Sequence, residues 1–573
     1  MPFIPQTIPS LFFHTCEQFP QRTAFMTKIG ESWQHITYQQ TQEQVIHVAK
    51  TLMHLGIQRQ QRIIIYASNC PKWVIVDLAI QAVGAITVPI YATINAKQAQ
   101  YIIDHAEAAI IFGDDPEKIE DISHPHKILF GHEEVPDAST WDAFLNTSHS
   151  ITTKDFYLNM KDTHPEELAS IVYTSGTTGT PKGVMLSQRN ISSNVVASLK
   201  AIPINQEDTT LSFLPLSHMF ERTAGCYCIL SKGATMAFCP DIHMVAQYIR
   251  EVQPTILITV PRLLEKVYQK IWDAFASKPQ FLQKLFSYAI YTLPKKHPLY
   301  LFFDGLFFKK IRQQMGGRLR FVVSGGAALS DEIYQFFDQA GFCILQGYGL
   351  TETSPVACVN PPTQRKIGTV GLPLDGVNIA VSDQQEILIK GPNIMQGYFK
   401  NKEETQSVMT TDGYFKTGDI GSIDDDGYIR ITDRIKDLIV TSGGKKIAPL
   451  PIENKLIAST WIDQACLVGE GEKTIGALIV PNFVAFSNDK TANNLMQSDM
   501  DSLAKSSNVQ RQLQTVIDEI NTGLSQYEKI KCFQILSHPF SIEKEEITPT
   551  LKLRRKVIYD NYASIIAALF ISE

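Results

Sequence analysis

Leu168-Ala169-Ser170-Ile171-Val172-Tyr173-Thr174-Ser175-Gly176-Thr177-Thr178-Gly179-Thr180-Pro181-Lys182-Gly183 is the stretch on which the reading of the fold turns. Its first six residues form an apolar run of the kind that makes a buried strand. Gly176 and Gly179, a cluster of hydroxyls and then Lys182 follow at once. The glycines let the backbone curl so that several N–H groups point inward, and such a concavity suits phosphate oxygens. The loop is not a Walker A motif, which places Gly directly before Lys and Ser or Thr directly after it. Here Lys182 precedes Gly183. In isolation the segment could be a polar surface turn. Its place behind a buried strand and its density of donors favour a phosphate-binding loop.

The flanking sequence repeats a β-α-β rhythm. Thr41 to Leu55 carries Val45, Val48, Ala49 and Leu52 at helical spacing, Arg62 to Ala67 is a short β-rich run, and Trp73 to Val83 is again helical. Ile86 to Tyr91 and Ile110 to Phe112 read as strands. This alternation predicts an α/β fold with parallel sheets covered by helices. Asp114 to Thr163, rich in His, Asp, Ser and Pro, reads as a loop-rich connection. The rhythm returns at Ala169 and runs to about Gly349. From Gly368 the texture changes: Gly371 to Ile379, Glu386 to Lys390 and Tyr428 to Thr432 are strand candidates between Gly-rich turns, which predicts a β-rich subdomain over about 368–432. After Asp433 the chain reads as a small α+β unit, with strands at Leu467 to Val468 and Ile475 to Val480 and a helix from Val509 to Leu524.

Composition narrows the classes. The 573 residues include 52 Lys and Arg against 58 Asp and Glu, a formal net charge of −6. That balance argues against a nucleic-acid binder, which needs a basic footprint to displace counterions. The nine cysteines are scattered with no C-x-x-C pair, so a reducing compartment fits better than a disulfide framework. Met1 to Gln21 lacks a basic region ahead of an apolar run, and no window reaches the ~18 apolar residues of a membrane span. The expectation is a cytoplasmic protein whose membrane contact, if any, is peripheral.

Five further motifs carry chemistry. Ser324-Gly325-Gly326-Ala327-Ala328 follows the strand Phe321 to Val323 and leads into a helix with Ser330 at its cap, a turn against which a flat ring can lie. No G-x-G-x-x-G occurs, so the dinucleotide fingerprint is absent. Gln346-Gly347-Tyr348-Gly349-Leu350-Thr351-Glu352-Thr353 offers a stacking face, a hydroxyl and a carboxylate that suits Mg²⁺. Tyr414-Phe415-Lys416-Thr417-Gly418-Asp419 sets one carboxylate after a tight turn, where it can accept two hydrogen bonds from a ribose diol. Asp433-Arg434-Ile435-Lys436-Asp437 and Ser442-Gly443-Gly444-Lys445-Lys446 suit a hinge beside a mobile loop.

In this order, from about Leu11 to Ile558, these motifs resemble the adenylate-forming superfamily of acyl-CoA synthetases, luciferases and peptide-synthetase adenylation domains. Leu214-Pro215-Leu216-Ser217-His218-Met219-Phe220-Glu221-Arg222 and the insert-like Val267 to Gly317 resemble its long-chain fatty acyl-CoA synthetase branch. The resemblance implies a large N-terminal domain, 1–435, and a small mobile C-terminal domain, 436–573. It implies a ligase that turns a long-chain fatty acid and ATP into acyl-AMP and pyrophosphate, then passes the acyl group to coenzyme A. Thr174, Ser175, Gly176, Thr177, Thr178, Gly179 and Lys182 would hold the pyrophosphate part of ATP, with Thr174 and Glu352 flanking Mg²⁺. Gly325, Gly326, Ala327 and Tyr348 would enclose adenine, Thr351 would lie near the α-phosphate, and Asp419 and Arg434 would hold the ribose. Lys436 takes the hinge position, Gly443, Gly444 and Lys445 the coenzyme A path, and Lys552 the place of the C-terminal catalytic lysine. His218 is either a hydrogen-bonded wall residue or a direct participant.

Two positions depart from the pattern. Arg222 stands where some long-chain enzymes carry an aromatic gate to the acyl tunnel, and Gln385 stands where Gly is usual. Two other functions remain open on the sequence: an acyl-AMP ligase that loads a carrier protein, and a non-catalytic acyl or nucleotide sensor. The unbroken stretch Asp433 to Glu453 favours free coenzyme A over the carrier. Lys182, Glu352, Asp419 and Lys552 together favour catalysis over the sensor. Between Phe281 and Phe308, nine aromatic residues lie among Lys278, Lys284, Lys295, Lys296, Lys309, Lys310 and Arg312, with Asp304 the one acid. This stretch is either a surface for anionic lipid or a helical hairpin packed on its own core.

Overall fold

The computed structural model describes residues 7–147, 150–174, 181–276, 278–488, 500–541, 543–548 and 552–571. The run Leu168–Thr174 is a central strand of an eight-stranded sheet, parallel to Ile86–Ile90. The chain then reverses, and Lys182–Ser187 pairs antiparallel with it, from Leu168↔Ser187 to Thr174↔Lys182. A second, nine-stranded sheet has a parallel centre made by Thr209–Ser212, Thr235–Phe238, Ile256–Thr259, Phe321–Ser324 and Ile344–Gly349. The helix Pro71–Ala82 has ten of its twelve residues buried and belongs to the large core shared by both sheets. Such all-round burial explains why its sequence is apolar on every side.

A four-stranded antiparallel sheet follows, made of Asn378–Val381, Glu386–Lys390, Phe415–Ile423 and Ile429–Arg434. Beyond it, the short ladder Ile439–Val440 with Lys446–Ile447 leads to a three-stranded sheet of Ile462–Val468, Ile475–Pro481 and Ile530–Ile535. This last part has its own apolar clusters, separate from the large core. Among the described residues no helix is long and apolar enough to cross a membrane.

Some expectations change. Asp114 to Thr163 is not a loop-rich connection. Lys127–Leu129 and Ala138–Thr140 extend the eight-stranded sheet at its edge, between the short helices Pro116–Glu120 and Trp141–Leu145, and Thr153–Lys161 follows as a further helix. Three-residue strands are too short to show alternation. Polar residues are tolerated there because Lys127, though buried, donates to the carbonyls of Ile119 and Ile122. Gly371 to Ile379 is not one strand: Leu372–Pro373 joins the nine-stranded sheet and Asn378–Val381 the small one, with a turn through Gly376 at φ +79° between them. Gln385 takes φ +63°, so it adopts the left-handed turn that glycine makes at lower cost.

Arg222 is fully buried on the π-helical turn Glu221–Tyr227 and cannot gate a channel from there. Its guanidinium pairs with Asp77, which is equally buried, and donates to the Tyr227 hydroxyl at 2.7 Å and the Ser170 hydroxyl at 2.8 Å. A buried charge survives only when its partners are in place, and every arm of this one is occupied by core groups.

Candidate active site

A cleft of about 2970 Å³ runs between the two large sheets, the four-stranded sheet and the small domain. Strand ends build its floor. Thr174 lies where Leu168–Thr174 stops, and Gly325, Gly326 and Ala327 follow Phe321–Ser324. The helix after that turn, Asp331–Gln339, is capped by Ser330 as its sequence predicts, with the hydroxyl accepting from Ile333 N–H. A Cβ on Gly325 would lie 2.9 Å from the Phe220 ring, so only glycine lets that ring close over the turn. A Cβ on Gly349 would lie 1.7 Å from the Pro355 carbonyl, which fixes glycine at the end of Ile344–Gly349.

Asp419 and Arg434 face each other across Phe415–Ile423 and Ile429–Arg434. Arg434 Nε lies 2.9 Å from Asp419 Oδ1, and the Tyr348 hydroxyl donates to Asp419 Oδ2 at 2.5 Å. Asp419 raises the Arg434 pKa further, and burial raises that of Tyr348. The three groups form one rigid polar unit on the cleft wall.

Glu352 follows Thr351 in a short 3-10 turn. Its Oε1 accepts from the Tyr398 hydroxyl at 2.9 Å. Tyr398 is brought there by Gly397–Tyr398, which pairs with Lys182–Ser187. Lys182 lies over the same ring, 5.4 Å from its centroid, and forms an ion pair with Glu404. Tyr398 therefore orders the carboxylate on one side and the lysine on the other.

Half-buried His218 accepts from Phe220 N–H at Nδ1, 3.1 Å away. Burial first, and the Lys552 charge second, press its pKa down to about 4. A neutral ring that accepts at Nδ1 carries its proton at Nε2. The lining of the cleft also includes the apolar side chains of Ile202, Phe220, Ala224, Cys228, Ile258 and Val323. Phe220, Ala224 and Cys228 lie four residues apart on the helical turns that bury Arg222 on another side.

Lys552 reaches the cleft from the small domain. Enclosure by protein first, and the Arg434 charge second, push its pKa down to about 8. The residue remains exposed in the open cleft, so water moderates the shift. Lys436 lies in the turn after Ile429–Arg434 and also lines the cleft. Gly443, Gly444 and Lys445 do not: they form the exposed tip between Ile439–Val440 and Lys446–Ile447, and Lys445 lies over the Tyr527 ring. Ser175, Gly176, Thr177, Thr178 and Gly179 lie outside the described residues.

The model of the AMP-binding enzyme family matches residues 12–399, and that of the AMP-binding enzyme C-terminal domain matches 436–573. The chain belongs to the AMP-binding enzyme family. Long-chain-fatty-acid–CoA ligase FadD15 of Mycobacterium tuberculosis is 32% identical over 99% of this chain and 97% of its own length. Long-chain-fatty-acid–CoA ligase 5 of Rattus norvegicus is 31% identical over 95% of this chain and 85% of its own. The same fold is seen in the anthranilate CoA ligase AuaEII in complex with anthranoyl-AMP, with a TM-score of 0.75 at 19% identity over 99% of both chains. It is seen again in the adenylation domain of a Mycobacterium chelonae carboxylate reductase, with a TM-score of 0.76 at 19% identity over 99% of this chain and 91% of that one.

Within this AMP-binding enzyme, sequence reading missed Tyr398 and Glu404. Tyr398 reads as an ordinary strand residue and becomes a site residue only through its pairing with the strand of Lys182. Glu404 sits in a polar helix, Lys402–Ser407, with no local pattern that points to Lys182.

Proposed function

We infer that the protein is an ATP-dependent, AMP-forming long-chain fatty acid–CoA ligase. The observation that carries the reading is one cleft lined both by His218, Lys552 and the Asp419–Arg434 pair and by apolar side chains such as Ile202, Phe220, Ile258 and Val323. A carboxylate head bound there meets cationic and hydrogen-bonding groups while its chain leaves water against the apolar lining. Each buried CH₂ gains about 0.8 kcal/mol, so apolar lining favours long chains steeply.

In the first step a carboxylate oxygen attacks the α-phosphorus, and the bond from that phosphorus to the pyrophosphate oxygen breaks. Tyr348, Gly325, Gly326 and Ala327 hold the base, Asp419 and Arg434 the ribose, and Lys182 with Thr174 the departing phosphates. The Lys552 ammonium stabilises the charge shared between carboxylate and α-phosphate, and Thr351 and the His218 Nε2–H donate nearby. In the second step the thiolate of coenzyme A attacks the acyl carbon and AMP leaves. The small domain turns about Lys436, so that the Gly443–Lys445 tip lines the thiol path.

Among the described residues no three His, Cys, Asp or Glu side chains gather as a metal cage. The cleft offers the Glu352 carboxylate, aimed by Tyr398, and the Thr174 hydroxyl. That set fits Mg²⁺, which takes one or two carboxylates and keeps waters and phosphate oxygens as its other ligands. When bound there, the ion neutralises phosphate charge.

The protein docks peripherally on anionic membrane through the helices that span 280–314. The aromatic stretch divides: Phe286, Phe303, Phe307 and Phe308 are buried, while Phe281, Tyr288, Leu299, Leu301 and Phe302 are exposed. Lys295 is paired with Asp338 and Arg312 with Asp304, whereas Lys296, Lys309 and Lys310 are exposed. Exposed apolar side chains and unburied lysines on the same run of helices suit an anionic lipid surface.

Pyrophosphate exchange into ATP, with and without palmitate, tests the first step, and thioester formation with free coenzyme A over a chain-length series tests the second. A higher kcat/KM for acetate or benzoate than for palmitate would refute the substrate class. Exchange without thioester would leave the carrier-loading ligase, and no exchange at all the sensor.

A further inference from the structure

The small domain is held over the cleft by contacts that the two half-reactions above do not use. The helix Pro261–Ala276 of the large domain meets the strand Ile462–Val468, which lies at the open edge of the three-stranded sheet. Arg262 forks onto a single residue: its Nη1 donates to the Asp463 carbonyl at 2.8 Å and its Nη2 to Asp463 Oδ1 at 2.5 Å. Gln269, two turns along the same helix and buried, donates to the Ile462 carbonyl at 3.3 Å.

The strand is shaped for this grip. Ile462 pairs with Pro481 and Gln464 with Val480, so Asp463 is the extra residue of a bulge. A bulge at a sheet edge re-aims a side chain and frees a carbonyl from the ladder. Both Asp463 groups that the bulge releases are taken by Arg262. Glu265, one turn after Arg262, places Oε2 3.4 Å from Nη1. The guanidinium thus has a second carboxylate at hand when Asp463 departs, so the grip can open without leaving a bare buried charge.

We propose that Arg262 and Gln269, closing on the Asp463 bulge, form a latch that holds the small domain in the arrangement with Lys552 in the cleft. Arg262 exchanges Asp463 for Glu265 when the domain turns. These are positioning residues: they act on where Lys552 sits and not on the reacting atoms. The inference rests on the two-step reading, because a latch for one arrangement has a kinetic consequence only if the other step needs a different one.

The test is a double-mutant cycle on Arg262→Ala and Asp463→Ala, read separately in each half-reaction. Loss of the charge-assisted contact between the guanidinium and the Asp463 carboxylate should slow acyl-AMP formation about tenfold in each single variant. The double variant should be no slower than Arg262→Ala alone, because both singles remove that contact. Conversion of supplied acyl-AMP to acyl-CoA should be unchanged or faster. Asp463→Asn, which keeps the carbonyl acceptor and the shape of the bulge, replaces alanine where that variant fails to fold.

Amide hydrogen exchange supplies a readout independent of turnover: Asp463→Ala should speed exchange in 459–464, the first turn of Pro261–Ala276, 543–548 and 552–555. Equal loss in both half-reactions, an additive loss of about a hundredfold in the double variant, or unchanged exchange in these segments would each overturn the latch. If the wild-type protein exchanged no pyrophosphate with any acid, the functional reading would fall, and the hydrogen-exchange arm would still decide the latch.

Discussion

Replacing Lys552 separates its charge from its bulk. The protein environment lowers its pKa toward about 8, and at that value about ten molecules are protonated to one neutral at pH 7 and the reverse at pH 9. If the ammonium stabilises the first transition state, kcat/KM for acyl-AMP formation should fall roughly fivefold between pH 8 and pH 9, since kcat/KM reports groups of the free enzyme. The limb seen in kcat should lie at higher pH, because bound phosphates favour the charged form. Lys552→Arg should keep much of the rate and lose this alkaline limb, because a guanidinium stays charged throughout. Lys552→Ala should lose about 10²–10³ in the first step, the usual cost of one preorganised donor. It should still convert supplied acyl-AMP to acyl-CoA. The assay is pyrophosphate exchange and single-turnover thioester formation from pH 6 to pH 10 on all three proteins. An alkaline limb that survives in Lys552→Arg, or equal losses in both steps for Lys552→Ala, would refute the reasoning.

If Lys182 binds the ATP phosphates as proposed, its ion pair with Glu404 competes with them, and Glu404→Gln should lower the KM for ATP about threefold to tenfold with little change in kcat, a gain near 1 kcal/mol; a raised KM would show that Glu404 positions the lysine instead. Glu221 is fully buried, and among the described residues neither carboxylate oxygen has a hydrogen-bond partner; burial first, eased by the nearby Ser212 hydroxyl, lifts the pKa from 4.5 to about 8. The folded state therefore keeps a proton that the unfolded state loses between pH 4.5 and pH 8, so this group subtracts stability as pH rises through that window. Glu221→Gln should then raise the Tm more at pH 8 than at pH 4.5, and equal shifts at both would sink the argument. Changing Lys296, Lys309 and Lys310 to Glu should abolish co-sedimentation with anionic vesicles while leaving thioester formation intact; unchanged binding would leave the helices 280–314 as a hairpin packed on its own core.

What the sequence determined by itself was whatever depends on neighbours along the chain. The strand Leu168–Thr174, the Ser330 cap and the turn residues around Gly325 and Gly349 are local choices, because β-propensity, side-chain capping and the need for a missing Cβ act within a few residues. The order of the motifs carried the family for the same reason. Tertiary structure decided what depends on partners far along the chain. Arg222 occupies a gate position in the sequence and an internal ion pair in the fold, since only packing brings Asp77 against it. The nine aromatics between Phe281 and Phe308 are alike in sequence, yet their helices turn some inward and others outward. Lys127–Leu129 and Ala138–Thr140 are strands only because a sheet edge supplies the hydrogen bonds that three residues cannot supply themselves. Tyr398, Glu404 and the Asp463 bulge gain their roles from Lys182 and Arg262, some two hundred positions away, a distance along the chain over which only the fold brings charge to charge.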